Sequence, residues 1–213
     1  MSPTTPDPRS ADVGAALRRS AARPDPELAS LVDRLAATAD REGVLDVAYR
    51  TVDSPFGQLL VAATAAGVVR VAFEREGHDV VLAALAAAVS PRILRSPRRT
   101  EIVARELEEY FAGRRRTFDV AVDLRLVNGF RRQVVEGLSD IPYGTTESYA
   151  QVARRAGSAA AVRAVGSACS HNPVPLVLPC HRVVRSDGSI GQYLGGAEVK
   201  AALLQLESAG IRR

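Results

Sequence analysis

Between Ile141 and Gly166 the chain reads IPYGTTESYAQVARRAGSAAAVRAVG. Ile141-Pro142-Tyr143-Gly144 stops a helix predicted over 130–138, because proline and glycine at this spacing break helical periodicity. Thr145 or Thr146 is placed to cap a second helix running through Ala156. Gly157 ends that helix, and Ser158 caps a third. Two helices joined by so short a glycine-containing turn form a helix-turn-helix pattern, the arrangement that lays a recognition helix on DNA. Further on, Asp187-Gly188 between Val183-Val184 and Ile190 signals a hairpin that would form a wing. A last helix follows. Residues 126–210 therefore read as a helical, winged helix-turn-helix domain.

Upstream of this module the pattern is different. Residues 1–26 mix Pro, Asp, Arg and Ser without a sustained period and read as a flexible tail. From Glu27, Leu28, Leu31, Val32 and Leu35 fall at helical spacing, with Asp25 as N-cap, Pro26 at the first helical position and Gly43 beyond the end. This helical extension, 27–43, needs a surface to dock on. Three strand-like runs at 44–52, 58–64 and 68–73 are separated by Pro55, Gly57 and Gly67 and predict an antiparallel meander. Helical patterns at 80–89 and 100–111 complete an α+β unit over 44–122.

Composition narrows the function classes. With 46% hydrophobic and 24% charged residues over 213 positions, the chain is neither fibrous nor wholly disordered. Its two cysteines, Cys169 and Cys180, are too few for a disulfide framework, which suits a reducing, cytoplasmic setting. The N-terminus lacks the apolar core of a secretory signal, and no apolar run approaches the length of a membrane span. The formal charge is +4, and Lys200 is the only lysine. Arginine suits phosphate recognition through its planar donor fork. Whether Arg92, Arg95, Arg98 and Arg99 meet phosphate or solvate a face is open, with the latter favoured.

The chemistry concentrates at Pro179-Cys180-His181-Arg182. A free thiol has a pKa near 8.5, so a working nucleophile needs a base or a positive field beside it, and His181, Arg182 and Arg185 are candidates for both. In a regular strand Cys180 and His181 would point to opposite faces; their cooperation requires a turn at the cysteine. Pro179, which cannot donate to a ladder, fits such a break. A buried structural cysteine beside a surface histidine is the competing reading of the pair alone.

Context decides between them. Ile141-Pro142-Tyr143-Gly144, Ser148-Tyr149, Arg163-Ala164-Val165-Gly166, Asn172-Pro173, Pro179 to Val184, Gly195-Gly196 and Leu203-Leu204 with Glu207 follow one another in this order. Together they resemble the O6-alkylguanine-DNA alkyltransferases, and the preceding α+β part looks like the ribonuclease-H-like domain of that family. The resemblance implies direct, single-turnover transfer of an alkyl group from O6-alkylguanine, with O4-methylthymine as a second candidate substrate. It assigns Cys180 as nucleophile, His181 as base through a water, Glu207 as orienter of the imidazole, and Tyr149 as donor to guanine N3. Arg163 would enter the base stack from the recognition helix, with Ser158, Ala164 and Asn172 at the DNA side. Asn172, Cys169, Val183, Tyr193, Leu194, Gly195 and Gly196 would line the base pocket. The implied partner is double-stranded DNA, read through the minor groove by a monomer with no obligatory protein partner and no membrane.

Departures from the family pattern bear on the pocket. Leu194 stands where many relatives are polar or basic, Cys169 where a larger apolar side chain is common, and Val135 where many have tryptophan. No cofactor is implied. The structural zinc of some relatives is not expected, because no cysteine precedes Cys169 and His78 reads as a surface residue. Rival readings are a non-catalytic alkylated-base-binding protein, which would lack the cysteine, a winged-helix regulator, and a turning-over thiol hydrolase.

Overall fold

The computed structural model describes residues 26–211. The predicted tail and the Asp25 cap lie outside the described residues. Helix α1 (Pro26–Arg41) opens with Pro26 at its first position. Its docked face differs from the predicted one. Leu31 and Leu35 are 53% and 58% exposed, while Ala36 and Ala39 are buried; the Leu28 side chain lies outside the described residues. Ala39 packs with Leu45, Ala48 and Leu94. Small side chains let the helix approach the sheet closely, and polar ties decide its rotation. Arg99 Nε donates to Asp40 Oδ1 at 2.6 Å, and Arg99 Nη1 reaches Asp46 O at 3.5 Å. Arg99 thus anchors the extension, and Arg92 pairs with Asp46, so neither merely solvates a face.

Strands β1 (Val47–Ser54), β2 (Gly57–Thr64) and β3 (Gly67–Phe73) form the expected antiparallel meander. Helices α2 (His78–Ala88) and α3 (Glu101–Phe111) follow it. Between them runs β4 (Ile93–Arg95), which pairs parallel to β1 and completes the order β3-β2-β1-β4. Three residues are too few to display a period of two, so sequence patterning passed over this strand. Residues Leu59 to Ala63 of β2 are all buried, as expected for a strand covered on both faces. The outer edge of β3 is closed by other segments. Val68 N donates to Ala121 O at 2.9 Å and Asp123 N to Val68 O at 2.8 Å, while Val71 N donates to Pro173 O at 2.9 Å. The edge that could template another chain thereby joins the sheet to the C-terminal half.

That half comprises α4 (Gly129–Gly137), β5 (Glu147–Ser148), α5 (Tyr149–Arg155), α6 (Val162–Ser170), β6 (Val183–Val184) and α7 (Ala197–Ile211). The helix-turn-helix starts later than the sequence suggested. Ser148, not Thr145 or Thr146, caps α5: its Oγ accepts from Gln151 N at 3.2 Å, and Gln151 Oε1 accepts from Ser148 N at 2.7 Å. The Thr145 hydroxyl instead donates to Pro142 O at 2.9 Å, stitching the preceding turn. Ser158 opens a turn that is closed by Ala161 N to Ser158 O at 2.9 Å, and α6 begins only at Val162. The turn at Asp187-Gly188 is present, with Arg185 N donating to Ser189 O at 3.0 Å. The ladder partner of Val183–Val184 is however Glu147–Ser148, in parallel, and not the arm at Ile190.

One continuous core joins the halves. It runs from Val61, Val71 and Phe73 of the sheet through Leu107 and Tyr110 of α3 to Val135, Ile141, Val165, Leu176 and Leu203. Val135 is fully buried within it, which accounts for a packing role at that position. Because the halves share buried apolar surface and backbone hydrogen bonds, side chains from the sheet side reach the C-terminal site.

Candidate active site

The reactive run is delivered by backbone geometry that a strand could not provide. Leu176 has φ of 74°, the left-handed region that costs a non-glycine residue about 1 kcal/mol. Pro179 follows at φ −81° and ψ 64°, an inverse γ-turn closed by Cys180 N to Leu178 O at 2.8 Å. Cys180–Arg182 is a 3-10 turn. This supplies the break that cooperation of Cys180 and His181 demands. Asn172 holds the bend from inside: its Nδ2 donates to Leu178 O at 2.7 Å and its Oδ1 accepts from Val174 N at 3.0 Å. It is fully buried.

His181 and Glu207 meet at 2.9 Å, Nε2 to Oε1, with neither side chain exposed. Glu207 sits on α7, so burial of Leu203 one turn earlier points the carboxylate inward. Arg182 grips the same carboxylate through Nε and Nη2, both at 2.9 Å, and spends Nη1 on Ile141 O at 2.6 Å. Gly144 N donates to Oε2 at 3.0 Å, from a backbone at φ 72° that glycine adopts freely. The Tyr110 hydroxyl donates to Oε1 at 2.8 Å. Burial alone would raise the Glu207 pKa, but the hydrogen bonds from His181 and Arg182 bring it down to about 2. As an ionised carboxylate only accepts, His181 must carry its proton on Nε2 when neutral. Its Nδ1 is buried and has no hydrogen-bond partner among the described residues. Burial lowers the imidazole pKa against the pull of Glu207, and the charges of Arg182 and Lys200 lower it further. The ring is thus neutral at rest, with a basic nitrogen to spare.

Cys180 is 2% exposed. Burial pushes its thiol up to about 11, opposed by a hydrogen bond from Asn172 and the charge of Lys200. At neutral pH this leaves about one thiolate in 10⁴, so the group needs a base to react. Lys200 is fully buried, its Nζ donating to Val183 O at 2.5 Å and lying 5.9 Å from the centre of the Tyr149 ring. Tyr149, first residue of α5, is held in its phenol form by burial and by the neighbouring thiols of Cys169 and Cys180.

Of the expected pocket residues, Asn172 hydrogen-bonds this thiol, and Cys169 and Tyr193 lie close enough to feel its charge. Cys169, Val183 and Asn172 are buried, and Tyr193 and Leu194 are half-buried. The Tyr193 ring packs edge-on against Phe73 at 5.6 Å and His181 at 6.2 Å, and its hydroxyl is buried with no hydrogen-bond partner among the described residues. Gly195 lies so close to Phe73 that an added Cβ would meet the ring at 3.0 Å, and Gly196 takes φ of 103° against Arg75. Here glycine is required by close approach and by conformation. Arg163 and Ala164 lie apart from the thiol, exposed at the start of α6, with Ser158 half-buried in the turn before it. Ala159 and Ala160 are also exposed, giving a surface of small side chains around one arginine.

Several site residues escaped sequence reading. Tyr110 arrives from α3, and nothing in a helical pattern distinguishes it from a core aromatic. Phe73 and Arg75 come from the end of the sheet. Arg182 was legible as a positive charge but not as the clamp of Glu207, and Lys200 only as the lone lysine. Among the described residues no group of three or more His, Cys, Asp or Glu is placed to hold a metal ion, and no helix is long and apolar enough to cross a membrane. His78 is half-buried, unlike the surface residue expected.

Comparison with known proteins gives the family. Residues 47–124 match the family model of the 6-O-methylguanine DNA methyltransferase ribonuclease-like domain, and 129–209 that of its DNA-binding domain. The methylated-DNA–protein-cysteine methyltransferase of Mycolicibacterium paratuberculosis is 39% identical over 167 residues, covering 76% of this chain and 92% of the relative. The constitutive methylated-DNA–protein-cysteine methyltransferase of Bacillus subtilis is 34% identical, covering 75% and 94%. The crystal structure of Mycobacterium tuberculosis OGT in complex with DNA superposes with a TM-score of 0.68 at 35% identity, covering 76% of this chain and 94% of that one. Helix α1 precedes both matched spans. The chain belongs to the 6-O-methylguanine DNA methyltransferase family, with both its ribonuclease-like and its DNA-binding domain.

Proposed function

We propose that this chain repairs DNA directly, moving the alkyl group from O6 of guanine in duplex DNA onto Cys180, once per molecule. The observation that carries this reading is the buried thiol next to a His181–Glu207 pair whose second ring nitrogen, Nδ1, is buried with no hydrogen-bond partner among the described residues. An alkyl carbon on O6 is a soft electrophile matched to sulfur. His181 Nδ1 takes the thiol proton through a water, Sγ forms the bond to the alkyl carbon, and the bond from that carbon to O6 breaks. The electron pair passes into the guanine ring. Tyr149, kept as a phenol, donates to N3 as that charge builds, and the proton released by the thiol finally resides on the departing guanine.

The imidazolium formed on the way is held by Glu207, whose charge is secured by Arg182. A thioether is a poor leaving group, and burial holds the neighbouring Cys169 thiol far above its usual range, so the product is permanent. The base reaches the thiol only after leaving the duplex stack. Arg163, exposed at the start of α6 among small residues, fills the space it vacates, and the glycines at 195 and 196 let backbone close over the extruded base. Tyr193 supplies a buried hydroxyl to the same pocket. The protein acts as a monomer on double-stranded DNA.

The test is stoichiometry. Duplex DNA carrying labelled O6-methylguanine should transfer one methyl group per protein, recovered by mass spectrometry on Cys180. Multiple turnovers, or full transfer by Cys180→Ser, would overturn the proposal.

A further inference from the structure

Glu207 accepts five hydrogen bonds, from Tyr110, His181, Gly144 and twice from Arg182. A carboxylate offers about four lone-pair sites. The crowding falls on Oε1, which serves the Tyr110 hydroxyl at 2.8 Å, His181 Nε2 at 2.9 Å and Arg182 Nη2 at 2.9 Å. Tyr110 lies 97 residues from Glu207 in sequence and belongs to α3, in the ribonuclease-like half. Its side chain is fully buried, and the hydroxyl is 3.4 Å from His181 Nε2. Packing alone does not need that oxygen. The ring is already held by Phe111, Phe118 and Tyr143 at centroid distances of 5.4, 5.5 and 6.3 Å.

We propose that Tyr110 is a positioning residue for alkyl transfer, whose hydroxyl shares Glu207 Oε1 with His181 and so limits how tightly Glu207 binds the imidazolium. The proposal rests on the reading of His181 as the base. Other groups facing the imidazole are Arg182 on its own segment, Lys200 on α7, Tyr193 at the pocket lip and the Cys180 thiol next to it in the chain. The cations and burial oppose protonation, and Glu207 favours it. A phenol donating to the same oxygen withdraws part of that support, because each lone pair given to one donor is weaker toward another. Tyr110 therefore helps keep Nδ1 free at rest. It also links the state of the ribonuclease-like half to the basicity of the site.

The experiment is a ¹⁵N NMR titration of the full chain, in which His181 is one of only three histidines. Tyr110→Phe deletes the hydroxyl and keeps the ring. Its His181 titration should move upward by about half a pH unit, equal to about a threefold change in the protonation constant. Site-specific 3-fluorotyrosine at position 110, a stronger donor, should move it downward. The opposite signs are something a packing role would not produce, and the second substitution remains informative if Tyr110→Phe folds poorly. Unchanged titration in either protein, or movement of both in one direction, would overturn the proposal. A His181→Gln variant that retains full transfer would instead overturn the base reading, whatever the titrations show.

Discussion

Arg182 holds Glu207 in a two-point grip, Nε to Oε2 and Nη2 to Oε1, each at 2.9 Å, and both side chains are buried. Such a fork fixes the carboxylate in plane and in charge, which a lysine could not do. The consequence is that Arg182, with Gly144 N and the Tyr110 hydroxyl, orients the carboxylate that in turn orients His181. Stability and chemistry are therefore coupled at one carboxylate.

Glu207→Gln should leave the Arg182 guanidinium buried without a countercharge and cost about 3 kcal/mol of stability. A denaturant midpoint reads this directly, and alkyl transfer should be lost with it. The pH dependence has a definite sign. Glu207 is depressed to about 2 in the folded chain, against about 4.3 when unfolded. Its contribution is full above the unfolded value and lost as pH falls through the folded one. His181, also depressed, adds an earlier loss as pH drops below about 6.5. The lower stage should vanish in Glu207→Gln. A variant as stable as the parent at pH 7 would contradict the assignment.

Asn172→Ala should raise the Cys180 thiol further above about 11, because the Asn172 hydrogen bond is the largest of the influences that lower it. Loss of the amide also leaves the buried Val174 N–H without its acceptor, at a cost of about 1–3 kcal/mol, while the Leu178 carbonyl keeps its bond from Cys180 N. The pH dependence of iodoacetamide labelling, read by mass spectrometry at Cys180, checks the first effect. Labelling that speeds up at neutral pH would count against this role of Asn172.

Arg163→Ala should separate base extrusion from chemistry. Repair of O6-methylguanine in a duplex should fall at least about tenfold, since unstacking costs a few kcal/mol that the arginine offsets. Reaction with free O6-benzylguanine, which needs no extrusion, should stay within about twofold of the parent. Equal losses on both substrates would mean that Arg163 acts on the pocket itself.

Much of this molecule was legible from local pattern. The meander, the two helices beside it and the helix-turn-helix each announce themselves by period, glycine and proline. Gly195 and Gly196 were named through the family resemblance, and the structure shows close neighbours at both, Phe73 and Arg75. The failures have both local and long-range origins. Three-residue β4 was too short to show a pattern, and Ser148 won the α5 cap over two threonines because Gln151 stands three residues on to complete a capping box. The apolar face of α1 was misjudged because Asp40 and Arg99, far apart in sequence, settle its rotation.

The sequence by itself determined the parts list: a thiol beside an imidazole after a proline, a tyrosine and an arginine on the helix-turn-helix pattern, and a glutamate on the last helix. The segments carry these residues locally, and the order of their motifs along the chain, through the family resemblance, gave them their roles. Only the tertiary structure decided that Glu207 would be met by Arg182, Gly144 and Tyr110 at once, and that a phenol from the ribonuclease-like half would share the oxygen that steadies His181. A buried carboxylate must collect donors from wherever the packed core brings them, and a shared core is a property of the whole chain.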